Sequence, residues 1–368
     1  MRKDWEIRIL GDVCQIINGK NQKKVANPDG QYPIYGSGGI MGYADQYLCD
    51  EGCTVIGRKG SINSPIFVET KFWNVDTAFG LSPNINLKDR FLYYFCLSFN
   101  FLRLNKSTTL PSLTKSDLLK INIRIPSKEK QELVVHELDT LNDIITKKKQ
   151  QLEELNKLAQ ATFYEMFGDP MLNEKKWNYN TLKVVCTKIT DGTHNSPVNE
   201  PEGKYAYITA KNIKKYGIDI SNISYVSEAV HKEIYSRCNP EKGDILYIKD
   251  GATTGVAQVN DFDFEFSMLS SVALLKLKKE MVDPLYIKSV LNSPSVYQSN
   301  RSNMGGAAIT RLTLDKIKRI KIPVPPFLHQ QDFGIKIFAI ESQKTNIQQS
   351  LTDTQQLFDY TMNKYFGS

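Results

Sequence analysis

The sequence predicts an α+β protein with two globular α/β domains related by internal duplication, separated by two long antiparallel helices that form a coiled coil. Two observations predict this fold class. Between residues 133 and 167, apolar side chains recur at alternating steps of four and three, the pattern of a heptad seam. Adding 199 to each of those residue numbers gives a second seam in the same register. We therefore interpret the chain as two copies of one unit, each ending in a long helix.

The two seams match in length and spacing. The first contains Leu138, Leu141, Ile145, Leu152 and Leu155, and the second contains Ile337, Ile340, Ile347, Leu351 and Phe358. Five heptads exceed the length of most globular helices, and such a helix spans roughly 50–60 Å at 1.5 Å per residue. Two helices of equal length and register would most simply pack on each other, although a surface helix packing on its own domain is an open alternative.

The direction of the helices follows from the segment between them. That segment is large enough to be a domain, and the ends of a domain usually lie close together. The first helix then ends near the start of the second, so the two run antiparallel. We predict a first globular domain at 1–126, a first helix at 127–168, a second globular domain at 169–325 and a second helix at 326–368.

Matching segments also occur inside the two globular parts. A strand and a glycine-rich loop in 32–43 correspond roughly to 205–213, and a β-rich strand in 52–60 corresponds to 243–251. Each copy then ends in an isoleucine-rich strand that stops at proline, followed five residues later by Gln131 or Gln330.

Charge is distributed unevenly along the chain. The formal net charge is +7; the two helices sum to −3, which leaves +10 for the remainder. Basic globular parts suit the binding of a polyanion, although a basic soluble surface without a nucleic-acid role is an alternative. The six cysteines show no paired metal spacing, and the chain shows neither a signal peptide nor an apolar run long enough for a membrane. A reducing, cytoplasmic setting is expected.

Motifs for catalysis are not found. The stretch Gly36-Ser-Gly-Gly-Ile-Met-Gly42 fails the dinucleotide fingerprint because its third glycine is one position late, and no P-loop is present. The four histidines fall in no triad or metal spacing. We therefore expect no catalytic, cofactor-binding or metal-binding residue in this chain.

Binding residues, by contrast, recur in both globular parts. Basic and amide side chains lie beside aromatic residues and glycine turns, and such side chains bind phosphates and base edges. A solvated surface charge is the alternative for each one. The candidate DNA-binding residues are Lys20, Lys23, Lys24, Arg58, Lys59, Lys71, Trp73, Arg103 and Lys106 in the first copy, and His194, Asn195, Lys211, Asn212, Lys214, Lys215, Lys249, Arg301 and Arg311 in the second.

This duplicated order resembles the specificity subunit of type I restriction–modification enzymes over essentially the whole chain. The resemblance implies that each globular part is a target-recognition domain reading one half of a bipartite asymmetric DNA site, and that the helices set the gap. It implies a non-catalytic subunit of a restriction endonuclease and adenine-N6 DNA methyltransferase complex that serves host defence. Two modification subunits would dock on it and use S-adenosylmethionine, and restriction subunits would use ATP and Mg.

Other functions are weighed against this one. A recognition subunit of a methylation-only or other DNA-modification complex keeps the same class. A self-contained nuclease or methyltransferase conflicts with the missing motifs, and a scaffold protein without a DNA role would lack salt-dependent duplex binding.

Overall fold

A computed structural model describes residues 5–105, 111–302 and 311–367 of the chain. Its contacts divide the chain into two compact units. Unit 1 comprises residues 1–150 together with 348–368, and unit 2 comprises residues 151–347. Two helices of 40 residues each, Lys128–Phe167 and Phe327–Phe366, contribute to both units.

Unit 1 is built on a four-stranded antiparallel sheet and a smaller mixed sheet. The strands are β1 (Glu6–Ile9), β2 (Cys14–Asn18), β3 (Tyr32–Gly36), β4 (Gly39–Ala44), β5 (Cys53–Gly57), β6 (Ile66–Val68), β7 (Trp73–Asn74), β8 (Ala78–Pro83) and β9 (Asn122–Ile125). The helices are α1 (Leu10–Val13), α2 (Asp89–Ser98), α3 (Lys115–Leu119) and α4 (Lys128–Phe167), with a 3₁₀ turn at Phe101–Leu104. The sheet orders are β2-β8-β5-β6, β4-β3-β7 and β1-β9.

Unit 2 repeats this plan. Its strands are β10 (Tyr179–Thr181), β11 (Cys186–Asp191), β12 (Tyr205–Ile208), β13 (Ile213–Lys214), β14 (Gly217–Ile218), β15 (Ser224–Val226), β16 (Ile245–Ile248), β17 (Ala257–Val259), β18 (Phe266–Met268), β19 (Val272–Leu277) and β20 (Lys321–Pro323). Its helices are α5 (Leu182–Val185), α6 (Glu228–Arg237), α7 (Pro284–Asn292), α8 (Pro294–Ser302), α9 (Leu314–Lys318) and α10 (Phe327–Phe366). The orders β11-β19-β16-β17, β15-β12-β18 and β10-β20 match those of unit 1, which confirms the internal duplication.

The central strands of the two units are equivalent. All residues of β5 and β16 are buried, as expected for short apolar runs at the middle of a sheet. Each follows a glycine with positive φ, Gly52 (74°) or Gly243 (91°), and each is followed by another, Gly60 (82°) or Gly251 (103°). A left-handed backbone favours glycine, so the same two turns frame both strands.

One local prediction was wrong. The glycine-rich stretch after β3 was expected to be a loop, but residues 39–44 form β4, which pairs antiparallel with β3. Glycine weakens a strand intrinsically, and here pairing with β3 outweighs that preference. Gly39 takes a φ of 120°, so the turn needs a glycine there. The equivalent connection in unit 2 is longer, because the β13–β14 hairpin lies between β12 and its antiparallel partner β15.

The long helices pack antiparallel in each unit. In unit 1, α4 and α10 meet where the Tyr365 hydroxyl donates to Glu137 (2.6 Å) and where Lys148 donates to Ser350. In unit 2, the rings of Phe163 and Phe333 lie 5.6 Å apart in a T-shaped arrangement. Of the predicted seam residues, those buried are Leu138, Leu141, Ile145, Ile337 and Ile340, and those half-buried are Leu152, Leu155, Ile347, Leu351 and Phe358.

Two buried glutamines fix the start of the long helices. The Oε1 atom of Gln131 accepts from the backbone N–H of Lys88 (2.8 Å), and its Nε2 atom donates to the carbonyl oxygens of Asn86 and Pro126 (both 3.1 Å). Gln330 makes the same three contacts in unit 2. Each glutamine thus ties its helix to the loop that precedes α2 or α7.

The cysteines belong to the core. All six are buried and free, and burial raises the thiol pKa of Cys14, Cys186 and Cys238 to about 12. None of the helices in the described ranges is both long and apolar enough to cross a membrane.

Candidate nucleic-acid interface

In unit 1, four loops meet at one end of the sheets. The backbone N–H of Lys20, just after β2, donates to the carbonyl of Asn74 (2.9 Å). The N–H of Val75 donates to the carbonyl of Tyr35 at the end of β3 (3.0 Å). The N–H of Arg58, just after β5, donates to the carbonyl of Thr77 (2.8 Å). We call residues 18–20, 36–38, 58–60 and 74–77 loop cluster 1.

The same backbone bonds recur in unit 2. The N–H of Thr193 donates to Met268 (2.9 Å), that of Leu269 to Ile208 (3.0 Å) and that of Lys249 to Ser271 (2.9 Å). We call residues 191–195, 208–212, 249–255 and 268–271 loop cluster 2. In both units the segment before α3 or α9 closes the cluster, since Leu113 donates to the carbonyl of Arg58 and Leu312 to that of Lys249 (2.8 Å each).

Three predicted cations converge in loop cluster 1. Lys20, Arg58 and Lys59 are exposed and form no ion pair among the described residues. The Arg58 guanidinium donates to the carbonyl of Asp76 (3.4 Å) and lies 5.9 Å from the centroid of the Phe79 ring. Trp73 is buried, and its Nε1 atom donates to the carbonyl of Lys20 (2.9 Å), so it supports the loop. Cations without an ion-pair partner among the described residues can neutralise phosphates.

The other predicted residues of unit 1 lie apart from these three. Lys23 and Lys24 are exposed on the turn before Val25. Lys71 is half-buried, with its ammonium 4.5 Å from the Tyr47 ring centroid and 3.6 Å from Asp50. Arg103 is exposed on the 3₁₀ turn. Lys106 lies outside the described residues.

In loop cluster 2, the lysine equivalent to Arg58 is buried and not exposed. Lys249 is equivalent to Arg58, yet it is only 2% exposed and lies 3.2 Å from the equally buried Asp191. Asp191 also lies 3.4 Å from His194 and 3.7 Å from Arg237. The burial of Lys249 favours a structural role. The position of its partner Asp191 is occupied in the first copy by Asn18, and an asparagine carries no charge to pair with Arg58. Lys249 also lies 3.4 Å from Asp250, so removing Asp191 would leave the buried lysine with one carboxylate partner instead of two.

The remaining predicted residues of unit 2 fall into three places. Arg311 is exposed and pairs with Asp250 (3.1 Å), and Arg301 donates to the carbonyls of Ala252 (2.9 Å) and Thr254 (3.2 Å), which holds that loop. His194 and Asn195 are exposed after β11. Lys211, Lys214 and Lys215 lie on or next to the β13–β14 hairpin, whereas Asn212 is buried beneath it.

Sequence reasoning missed several residues at these clusters. Asp191 and Asp250 were not among the candidate residues, although both pair with Lys249. Asp250 follows Lys249 directly in the sequence, whereas Asp191 ends a different strand and its contact depends on the fold. Ile40, Met41 and Tyr216 were missed because an exposed apolar side chain leaves no signal in a single sequence. No group of three or more His, Cys, Asp or Glu suited to a metal ion exists within the described part of the chain.

Comparisons with known proteins agree with this arrangement. A Haemophilus influenzae sequence assigned as a type I restriction enzyme specificity subunit is 25% identical over 88% of this chain and 84% of its own length. The MjaIX specificity subunit of Methanocaldococcus jannaschii is 23% identical over 74% of this chain and 72% of its own. The crystal structure of the type I restriction–modification S subunit from M. genitalium superimposes with a TM-score of 0.71 at 18% identity, covering 99% of this chain and 96% of that one.

The family profile covers most of the chain. The type I restriction modification DNA specificity domain matches twice, at residues 2–157 and 174–354, so each match holds one loop cluster. The two matches, the repeated sheet orders and the repeated loop clusters describe the same duplication. The chain therefore belongs to the family of type I restriction–modification specificity subunits.

Proposed function

We propose that each globular domain reads one half of a bipartite asymmetric DNA site through its loop cluster. The observation that carries this proposal is the repeated backbone frame, which presents different side chains at equivalent places. Exposed Arg58 occupies the position of buried Lys249, so the two domains offer different chemistry to DNA. Two unlike readers in one chain suit an asymmetric site with two halves.

The helices are proposed to set the gap between the half-sites. Both α4 and α10 contain 40 residues without interruption, which corresponds to about 60 Å at 1.5 Å per residue. A helix transmits a fixed length, whereas a flexible linker would allow a range of gaps. The domain boundaries 1–126, 127–168, 169–325 and 326–368 divide the chain into readers and spacers in this proposal.

The chemistry is proposed to belong to partner subunits. Two modification subunits would dock on the helices and domains, bind S-adenosylmethionine and methylate the N6 atom of an adenine in each half-site after extruding it from the duplex. Restriction subunits would add ATP- and Mg-dependent translocation and cleavage. This chain would direct the complex to its site.

Methylome sequencing tests the proposal. Cells expressing this chain with its modification subunit are compared with cells expressing the modification subunit alone. We expect N6-methyladenine on a two-part motif with a fixed gap only in the first culture. No new methylation from soluble, associated proteins would contradict the proposal, and proteins that fail to associate would favour a scaffold role.

Lengthening both helices tests the spacer. A heptad is inserted after Thr146 and a second after Thr345, its counterpart 199 residues later, so that the seam keeps its register. Seven residues add about 10 Å, or roughly three base pairs at 3.4 Å each. The methylated motif should keep both halves while its gap grows by that amount; an altered half-site would refute the spacer role.

Exchanging residues 1–126 for the same region of another family member tests the domain split. One half-site of the motif should change and the other should remain. A change in both halves would show that the readers are not separate.

A further inference from the structure

The connection between the first strand of each smaller sheet and its antiparallel partner differs between the two domains. In unit 1, β3 leads directly into β4 through a tight turn at Ser37 and Gly38. In unit 2, the connection from β12 to β15 is expanded and contains the β13–β14 hairpin. We call these two segments, residues 37–43 and 209–223, the reading hairpins. They occupy the same place in the fold and differ in length and structure between the copies.

The first reading hairpin exposes apolar side chains. Ile40 is 55% exposed and Met41 is 64% exposed, next to the turn. The thioether of Met41 lies over Gly36, where an added methyl group would come within 2.5 Å of the sulfur atom. A side chain at Gly36 would therefore displace the Met41 side chain, so the observed position of Met41 requires glycine at residue 36.

A loop with two exposed cations packs beside this hairpin. The Arg58 loop packs against the turn, since a methyl group added to Gly57 would stand 3.0 Å from the Cβ atom of Ser37. Arg58 and Lys59 on that loop are exposed and form no ion pair among the described residues. An exposed apolar surface next to unpaired positive charge is complementary to a polyanion that also offers apolar groups.

The second reading hairpin exposes an aromatic ring. Tyr216 at its tip is 64% exposed, beside Lys214 and Lys215. The buried Gln258 donates from Nε2 to the backbone carbonyls of both lysines, at 2.7 and 3.0 Å. Asn212 adds a further link, donating to the carbonyl of Asp219 (3.1 Å). The backbone beneath Tyr216 is therefore held from inside the domain.

Duplex DNA offers both phosphates and apolar groups, which match the basic and apolar side chains of the two hairpins. It provides thymine methyl groups and base faces beside its phosphates, and apolar side chains read or separate base steps in several DNA-binding proteins. A tip held by buried hydrogen bonds also loses little conformational entropy when it binds. A single exposed apolar residue needs no explanation, but here both domains expose one at the same connection and beside basic residues.

We propose that Met41 and Tyr216 are specificity-determining residues that contact bases through apolar surface, Met41 in one half-site and Tyr216 in the other. This inference rests on the proposed function and adds to it the residues and the kind of contact. The first domain reads with an aliphatic thioether on the hairpin against which the Arg58 loop packs. The second reads with an aromatic ring that directly follows two lysines.

The test uses the full chain in complex with its modification subunits. Met41→Ala and Tyr216→Ala are each expressed with those subunits, and the methylated motif is determined by sequencing. Each variant should lose roughly tenfold in discrimination at one or two base positions, in one half-site only. The two variants should affect opposite halves, and the gap should stay unchanged.

Two matched controls accompany these variants. Ile85→Ala removes an aliphatic side chain that is 84% exposed in unit 1, on the loop that Gln131 ties to the start of α4. Leu172→Ala removes a side chain that is 72% exposed in unit 2 and lies outside the reading hairpin. Both controls should keep the wild-type motif, which would separate base contact from a general loss of exposed apolar surface.

The outcomes distinguish the inference from the function on which it rests. A wild-type bipartite motif that Met41→Ala and Tyr216→Ala leave intact would refute the inference and keep the proposed function. Relaxation of both half-sites by either variant would also refute it, because each tip is assigned to one half. A wild-type complex that methylates no bipartite motif would overturn both.

Discussion

Replacing Gln330 by methionine should destabilise unit 2 strongly. The Gln330 side chain is 0% exposed. Its Oε1 atom accepts from the backbone N–H of Asp283 (3.0 Å), and its Nε2 atom donates to the carbonyls of Met281 (3.2 Å) and Pro325 (2.8 Å). Methionine has a similar volume and makes none of these bonds, so the variant leaves one donor and two acceptors buried without this partner.

The magnitude follows from those three groups. A buried polar group without a partner costs about 1–3 kcal/mol, so the free energy of unfolding should fall by about 3–5 kcal/mol if the loop relaxes slightly. This is a large part of the 5–15 kcal/mol that stabilises a typical domain. The core volume is kept, so a cavity contributes little.

Urea denaturation followed by circular dichroism measures the change. Gln131→Met removes the same three contacts from unit 1 and should cost a similar amount. Gln348→Ala, at an exposed position of α10, serves as the control and should change stability by less than about 0.5 kcal/mol. If Gln330→Met lowers the free energy of unfolding by less than about 1 kcal/mol, the view that this side chain satisfies the buried backbone groups of the loop is refuted.

Three further predictions concern charge and burial. Asp191→Ala should cost about 3 kcal/mol, because the buried Lys249 then keeps only Asp250, 3.4 Å away, as a charged partner. Adding Lys249→Met should recover most of that loss in urea denaturation; a double variant no better than the single one would contradict this. Burial lowers the pKa of Lys288 despite Glu341 at 3.7 Å, so the charged form of this lysine is disfavoured in the folded state. The free energy of unfolding of the wild type should therefore rise with pH, from the lowered pKa in the folded state up to the ordinary pKa of lysine. Lys288→Met should therefore stabilise at pH 7 by an amount that shrinks as pH rises, whereas a gain independent of pH would exclude this cause. The six buried cysteines should react with a thiol reagent only after unfolding, and rapid labelling of the native protein would contradict their burial.

The fold class was predictable because it is encoded in periodicity and repetition. The heptad steps in both halves predicted the long helices, and Pro126 and Pro325 marked the strand ends that precede them. The strand at 52–60 was predictable for a similar reason, since glycines with positive φ bracket it in both copies. These features depend on local sequence, which one chain contains in full.

The candidate binding surface was predictable only in part, because exposure depends on neighbours that are distant in sequence. Arg58 and Lys249 are equivalent in sequence, but Asp191 draws only the lysine into the interior. Trp73 was predicted to contact DNA, and that contact stays a prediction. Its ring is buried and supports the Lys20 loop through one hydrogen bond. The sequence alone does not show which basic residues are exposed and which are buried, because that depends on which strands pair in the fold.

The hydrogen bonds that close the two loop clusters run from backbone to backbone, as between Leu113 and Arg58 or between Leu312 and Lys249. Nearly every residue type can make such a bond, so these contacts do not fix the identity of the exposed side chains on the loops, such as Arg58. Descendants of one duplicated gene can then alter each half independently, one substitution at a time, while the protein still folds. If each domain reads one half-site, as proposed above, a small number of domains combined in pairs would yield a much larger set of two-part specificities.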